Sequence, residues 1–233
     1  VKIYIKMIYR HYFRRNKLKN MLIECMPGVK NKSLSHRSTE WLRRHLKDPY
    51  VIQSQKDNYR SRAAYKLTET NKKFKIFENV KSALDLGAAP GSWSEVLVKE
   101  LKSPTRIVAI DLLEVDPIPG VEIFKDDFTS EKFNDYVDNS EPFDLIVSDI
   151  SPNMTGHRQT DFLRSMEMLE EAFYLTDSCL NPGGHFVAKY FRRGDLGQLL
   201  NDAKKRFTKV SSFKPEASRK NSSEIYLVCY KKK

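Results

Sequence analysis

Four stretches of the chain carry residues whose types and spacing can do chemistry on a nucleoside. The first is Asp85-Leu86-Gly87-Ala88-Ala89-Pro90-Gly91-Ser92-Trp93, where Gly87 and Gly91 bracket small residues and let a ligand approach the backbone before a helix begins. The second is Asp111, 20 residues beyond Gly91 at the end of an apolar run, where a carboxylate can accept from both hydroxyls of a ribose. Asp127 follows the next such run and can accept from the amino group of adenine. The fourth is Lys189 in the apolar setting FVAKYF, where an ammonium is costly unless it is partnered. Singly, Gly87 reads as a turn, Trp93 as core, and Asp111 and Asp127 as helix caps. Their joint placement at successive strand ends favours a nucleoside ligand.

Other chemistries lack their signatures. The close-spaced glycines of G-x-G-x-x-G, which accommodate the pyrophosphate of NAD, are absent. His11, His36, His45, His157 and His185 show no metal-ligand spacing, and Cys25, Cys179 and Cys229 form no C-x-x-C pair, so no metal is expected and a reducing compartment fits. Ser148 and Ser151 flank Asp149 without the G-x-S-x-G elbow of a hydrolase.

The elements that must position these residues follow from apolar patterning. Short runs rich in β-branched and aromatic residues (SALDLGA, RIVAIDL, VEIFKDD, FDLIVSDI, GHFVAKYF) alternate with amphipathic stretches at about 92–101, 131–137, 161–178 and 196–207, which predicts a parallel, doubly wound sheet. The last two runs, TKVSSFK and EIYLVCY, are joined by PEASRKNSS, too short for a crossover helix, so they should pair antiparallel. The expected architecture is the α/β, Rossmann-like methyltransferase fold: a mostly parallel seven-stranded sheet with one antiparallel strand near the C-terminus. Upstream, TEWLRRHLKDPY predicts a short helix capped by Ser38 or Thr39 and stopping near Pro49, and a further helix covers 61–73.

Charge sharpens the choice of ligand. Residues 1–66 hold 17 Lys+Arg against 4 Asp+Glu, residues 67–188 hold 11 against 22, and residues 189–233 hold 13 against 4, within a net charge of +11. Basic ends suit a polyanion. An acidic centre suits a cationic nucleoside such as S-adenosylmethionine, with its sulfonium and ammonium, better than it suits a pyrophosphate.

YRSRAAYKL, LDLGAAPGSWSE, AIDLLEVDPIPGV, DDF, LIVSDISPNMTGH, NPGGHFVAKYF and KPEASRKNSSEIYLV resemble, in order and spacing, the FtsJ/RrmJ family of large-subunit ribosomal RNA 2'-O-ribose methyltransferases, of the compact bacterial type. The similarity runs from about Ser38 to Tyr230, with residues 1–37 as a basic, flexible extension and 38–60 as an N-terminal helix and linker to the methyltransferase domain. Ser92 departs from the bacterial motif, which commonly has a second Gly there.

The resemblance implies catalytic roles for Lys66, Asp149, Lys189 and Glu224, and contacts to S-adenosylmethionine from Gly91, Trp93, Asp111, Asp127 and Asp149. A ribose 2'-hydroxyl is barely ionised at neutral pH, so methyl transfer needs a positioned base. Lys189 is expected to be that base, oriented by Asp149, with Lys66 and Glu224 positioning the substrate. A second ammonium nearby would favour a neutral lysine, and the carboxylates would oppose this. Arg60, Arg62, Arg192, Arg193 and Lys220 flank these motifs as the expected phosphate contacts. The resemblance also implies a uridine of large-subunit (23S-type) ribosomal RNA as target, an assembled or assembling ribosomal subunit as partner, a monomer with no membrane partner, and the bacterial cytoplasm. The alternatives are a mitochondrial-matrix ribosomal RNA, tRNA or cap 2'-O-methyltransferase, or a ribosome-assembly factor that only binds RNA.

Overall fold

The computed structural model describes residues 45–101, 105–152, 155–192 and 196–233. The chain divides into two units, Val1–Ile52 and Gln53–Lys233. The expected extension, the domain start at Ser38, and the first residues of the upstream helix lie outside the described residues. Helix α1 (Pro49–Lys56) is an addition to the sequence reading. Pro49 opens this helix, and the Asp48 carboxylate accepts from the Tyr50 N–H at 3.0 Å. A proline that halts one helix can start the next, because its missing N–H is one the first turn does not need.

The remaining elements, in chain order, are α2 (Ala64–Phe74), β1 (Ser82–Leu86), α3 (Ser92–Glu100), β2 (Arg106–Asp111), β3 (Val121–Lys125), α4 (Glu131–Asp138), β4 (Phe143–Ser148), α5 (Arg158–Cys179), β5 (Leu180–Phe191), α6 (Gly197–Arg206), β6 (Phe207–Phe213) and β7 (Glu224–Lys232). They build one seven-stranded sheet in the order β3-β2-β1-β4-β5-β7-β6. Neighbours from β3 to β5 are parallel, whereas β7 runs antiparallel to both β5 and β6. The reversed strand is therefore interior, which is why Ile225 to Cys229 are all buried.

Alternation along the strands sends side chains to two cores. Leu84, Leu86, Ile146 and Phe186 pack with Phe133 of α4, Phe173 of α5 and Leu199 of α6. On the other face, Ala83, Leu145, Val187 and Tyr226 pack with Leu67 of α2 and Trp93, Val96 and Leu97 of α3. Asp85 shares the face of Ala83, so a carboxylate points into an otherwise apolar layer. The order also reverses beside β1, since β2 lies to one side and β4 to the other. The C-terminal ends of β1, β4 and β5 consequently open on one crevice, where such sheets bind ligands.

Candidate active site

The loop after β1 is shaped by close backbone approach. Gly87 has φ +74°, and a Cβ there would lie 2.3 Å from Ile150 Cγ1. The N–H groups of Gly87 and Ala88 donate to Ile110 O at 2.9 and 3.1 Å, and that of Ala89 donates to Asp111 Oδ2 at 2.8 Å. Asp111 Oδ1 also accepts from Leu113 N–H at 2.7 Å. Each carboxylate oxygen can accept twice, so capacity for ribose hydroxyls remains. Asp127 Oδ1 accepts from the N–H and the hydroxyl of Thr129 at 3.0 and 2.8 Å, while Ser130 caps α4.

A small cavity lies over this loop, bounded by Ala63, Asp85, Gly87–Pro90, Ser92, Trp93 and Asp149. Of the expected cofactor contacts, Trp93 and Asp149 line it, whereas Gly91, Asp111 and Asp127 lie outside its wall. Trp93 is fixed by its Nε1–H, which donates to Ala63 O at 2.8 Å, and by Tyr226, whose ring centroid is 5.7 Å away. Ser92 does not obstruct the loop; its hydroxyl pairs with that of Ser61 at 2.7 Å.

Asp85 was missed by the sequence reading. It is 1% exposed, Oδ2 accepts from the Ser94 hydroxyl at 2.6 Å, and Oδ1 is buried with no hydrogen-bond partner. Its carboxyl is pushed up to about 7, chiefly by burial and further by Asp149 and Asp111, against the lowering effect of the Ser94 hydroxyl. An orphaned carboxylate oxygen beside a second carboxylate is what a cationic ligand would satisfy, so these residues fit S-adenosylmethionine.

The same shift has a consequence for stability. The folded chain keeps the Asp85 proton up to about pH 7, whereas the unfolded chain releases it near 3.8, so this stabilisation is complete below 3.8 and lost as pH rises through about 7. Asp85→Asn removes that dependence. It should raise the unfolding free energy by an amount that grows between pH 5 and pH 8, toward a limit on the order of 4 kcal/mol at 1.36 kcal/mol per pH unit, as read by urea denaturation. A gain that is the same at both pH values would contradict the assignment.

The four expected catalytic residues meet at one end of this cavity. Glu224, the first residue of β7, faces Lys66 of α2 with Oε1 at 3.2 Å and Oε2 at 3.3 Å from Nζ. Lys66 Nζ is also 3.6 Å from Asp149 Oδ2. Lys189 Nζ is 3.1 Å from Asp149 Oδ1 and donates to Asp149 O at 2.7 Å. The order in space is Glu224, Lys66, Asp149, Lys189, so a carboxylate stands between the two ammonium groups. Burial pushes the Asp149 carboxyl up, but Lys189, Lys66 and the Tyr226 hydroxyl together outweigh it and hold it below the ordinary value.

Tyr226 is the second residue the sequence reading missed. Its hydroxyl donates to Asp149 Oδ1 at 2.7 Å, it is fully buried, and it sits directly opposite Lys189 in the β5–β7 register. The spacing of Glu224 and Tyr226 in EIYLVCY puts both on one face of the strand.

The expected phosphate contacts divide. Arg60 is corrected: its side chain is only 7% exposed and is spent inside the protein, on Glu95 and on three loop carbonyls. Arg62 is half-buried and donates to Ala217 O in the β6–β7 connection. Arg192 and Lys220 are exposed near the catalytic cluster in sequence, Arg192 N–H donating to Ser223 O at 2.9 Å. Arg193 lies outside the described residues. Lys66 and Lys189 lie inside the basic segments of the sequence but add no net charge to a positive face, because Glu224 and Asp149 match both.

The fold and the crevice at its strand ends define a methyltransferase of the Rossmann-like class. Residues 59–232 match the sequence model of the FtsJ-like methyltransferase family. The chain is 45% identical over 203 residues to a protein of Rickettsia bellii named ribosomal RNA large subunit methyltransferase E, a match covering 84% of this chain and 89% of that one. It is 44% identical, with the same coverage, to the protein of that name from Rickettsia felis. A crystal structure described as a ribosomal RNA methyltransferase of Plasmodium falciparum superposes with a TM-score of 0.64 at 30% identity, covering 75% of this chain and 98% of that one. The chain belongs to the FtsJ-like methyltransferase family, and its methyl donor is S-adenosylmethionine.

Proposed function

We propose that the protein methylates the 2'-hydroxyl of a uridine ribose in large-subunit ribosomal RNA, on an assembled or assembling subunit. The observation that carries this reading is the cluster in which Asp149 is shared by Lys66, Lys189 and Tyr226 at the edge of the cofactor cavity. The names of the Rickettsia and Plasmodium relatives support the choice of RNA. When bound, the cofactor supplies an electrophilic methyl group and a sulfur able to leave.

The chain's residues do the rest. Asp85 and Asp149 receive the cofactor's positive groups, and Gly91, Trp93, Asp111 and Asp127 hold the nucleoside. Lys66, braced by Glu224, positions the ribose. Lys189 takes the 2'-hydroxyl proton as the new O–C bond forms. Asp149 orients the Lys189 amine through Oδ1 and its main-chain carbonyl, and Asp85 and Asp149 would hold the cofactor's positive groups when it binds. The exposed Arg192 and Lys220, together with the half-buried Arg62 and with Arg193, contact phosphates.

The protein works as a monomer, with the bacterial cytoplasm as compartment. Among the described residues no helix is long and apolar enough to cross a membrane. Methyl incorporation into isolated large-subunit particles, naked ribosomal RNA and tRNA tests the reading. Incorporation is expected in the particles; incorporation into tRNA alone would defeat the ribosomal assignment, and none into any RNA would favour a binding factor.

A further inference from the structure

We propose that Arg60 is a positioning residue for the cofactor, locking together the two loops that enclose the nucleoside; this rests on the cavity over β1 being the cofactor site. Arg60 precedes α2, six residues before Lys66, yet its guanidinium is bonded to Glu95 and to the loops that carry Pro90 and Asp116–Pro117. Nη1 donates to Pro90 O and to Asp116 O, both at 2.8 Å, and Nη2 donates to Pro117 O at 3.0 Å. Nε pairs with Glu95 Oε1 at 3.0 Å, and the Arg60 backbone N–H donates to Glu95 Oε2 at 2.8 Å.

Pro90 belongs to the loop that walls the cavity, and Asp116–Pro117 belong to the connection that leaves Asp111. A single planar fork therefore bridges the β1–α3 loop, the β2–β3 connection and the first turns of α3. Lysine, a compact point charge, cannot reproduce that pattern. The fit is tight: a Cβ at Gly91 would lie 2.8 Å from both Arg60 Nη1 and Ile118 Cδ1. The φ of +105° at position 91 favours glycine, and a larger residue there would also press on the Arg60 guanidinium. A phosphate contact needs an accessible guanidinium, and this one is turned inward with three carbonyls and a carboxylate already on it.

The test measures cofactor and RNA affinities separately for the wild type, Arg60→Ala and Arg60→Lys. S-adenosylmethionine binding is read by calorimetry and RNA binding on large-subunit RNA, with KM for the cofactor and kcat from methyl transfer. The expected result is a dissociation constant for S-adenosylmethionine raised at least tenfold in Arg60→Ala and less in Arg60→Lys. RNA affinity should stay within threefold, and kcat at saturating cofactor should change little. A residue that only stabilised the fold would lower the melting temperature and the active fraction without moving the cofactor constant of the folded remainder. An unchanged cofactor constant, a loss of RNA affinity alone, or equal losses of both would overturn the proposal. Arg60→Lys carries the test if the alanine variant does not fold. Ala89→Leu, which fills the cavity, separates the two levels: undiminished cofactor binding in that variant would remove the site itself, whatever Arg60 does.

Discussion

Lys189→Ala is expected to lower single-turnover methyl transfer by about 10²–10⁴-fold, the range for removal of a general base, while the dissociation constant for S-adenosylmethionine stays within threefold. The reason is geometric. Lys189 touches Asp149 through Oδ1 and the main-chain carbonyl, but it does not line the cavity. Its loss leaves Asp149 still paired to Lys66 and hydrogen-bonded to Tyr226, so the carboxylate remains placed and the cavity wall is intact. Full activity in this variant would refute the assignment of the base. A parallel loss of cofactor binding would mean that Lys189 supports the cavity and not the proton transfer.

The second large effect concerns Asp149→Asn. Two ammonium groups share this carboxylate, and among the described residues only Lys66 has another, Glu224. Removing one partner of a buried ion pair is far more costly than never having had the pair, typically 3–5 kcal/mol. With its side chain 19% exposed, the lower end applies, and the variant should lose about 3 kcal/mol as well as at least 10²-fold in methyl transfer. The pH dependence has a definite sign. The Asp149 carboxyl is held below its ordinary value of 3.8, so its stabilisation is present above that pH and lost as pH falls through the lower folded value. In the Asp85→Asn background, which removes the coupling of Asp149 to the Asp85 carboxyl, parent and variant should therefore differ by a constant amount from pH 5 to pH 8 and converge only in acid. Urea denaturation across this range checks it, and a gap that opened or closed near neutrality would contradict the pairing.

Lys189 was legible because a lysine inside the apolar stretch FVAKYF is unusual, whereas the role of Asp149 came from the family resemblance of LIVSDISPNMTGH. The alternation of strands and helices was equally plain, and β1 to β7 fall where apolar runs and turn residues place them. What escaped depended on distant partners. The basic character of Arg60 says nothing about which way its guanidinium points. Its partners Glu95, Pro90 and Pro117 are 35, 30 and 57 residues away in sequence, so an interior clamp looked like a surface cation. Tyr226 reads as one more aromatic in a strand until the β5–β7 register sets it opposite Lys189. Pro49 marks an end and a beginning with the same chemistry, and only the Asp48 cap distinguishes them. Asp85 carried a visible signal, a lone charge in the run SALDL, but its meaning came from burial and from an oxygen left without a donor.

The division of charge along the sequence is also refined. The basic ends and acidic centre remain, but Lys66 and Lys189 belong electrostatically to the carboxylates between them. Among the described residues, Arg192 and Lys220 are the expected phosphate contacts left exposed, and Arg62 is half-buried. The acidic centre keeps the role first inferred for it, with Asp85, Asp111, Asp127 and Asp149 spread along the strand ends.

The most direct test is the position of the transferred methyl group. Large-subunit particles are incubated with the protein and S-adenosylmethionine labelled on its methyl group, and the RNA is then hydrolysed in alkali. A 2'-O-methyl group removes the nucleophile that alkali uses, so the account predicts that the label stays in an alkali-resistant dinucleotide whose 5' nucleoside is 2'-O-methyluridine. Label released with a single nucleotide, methylated on its base, would contradict it.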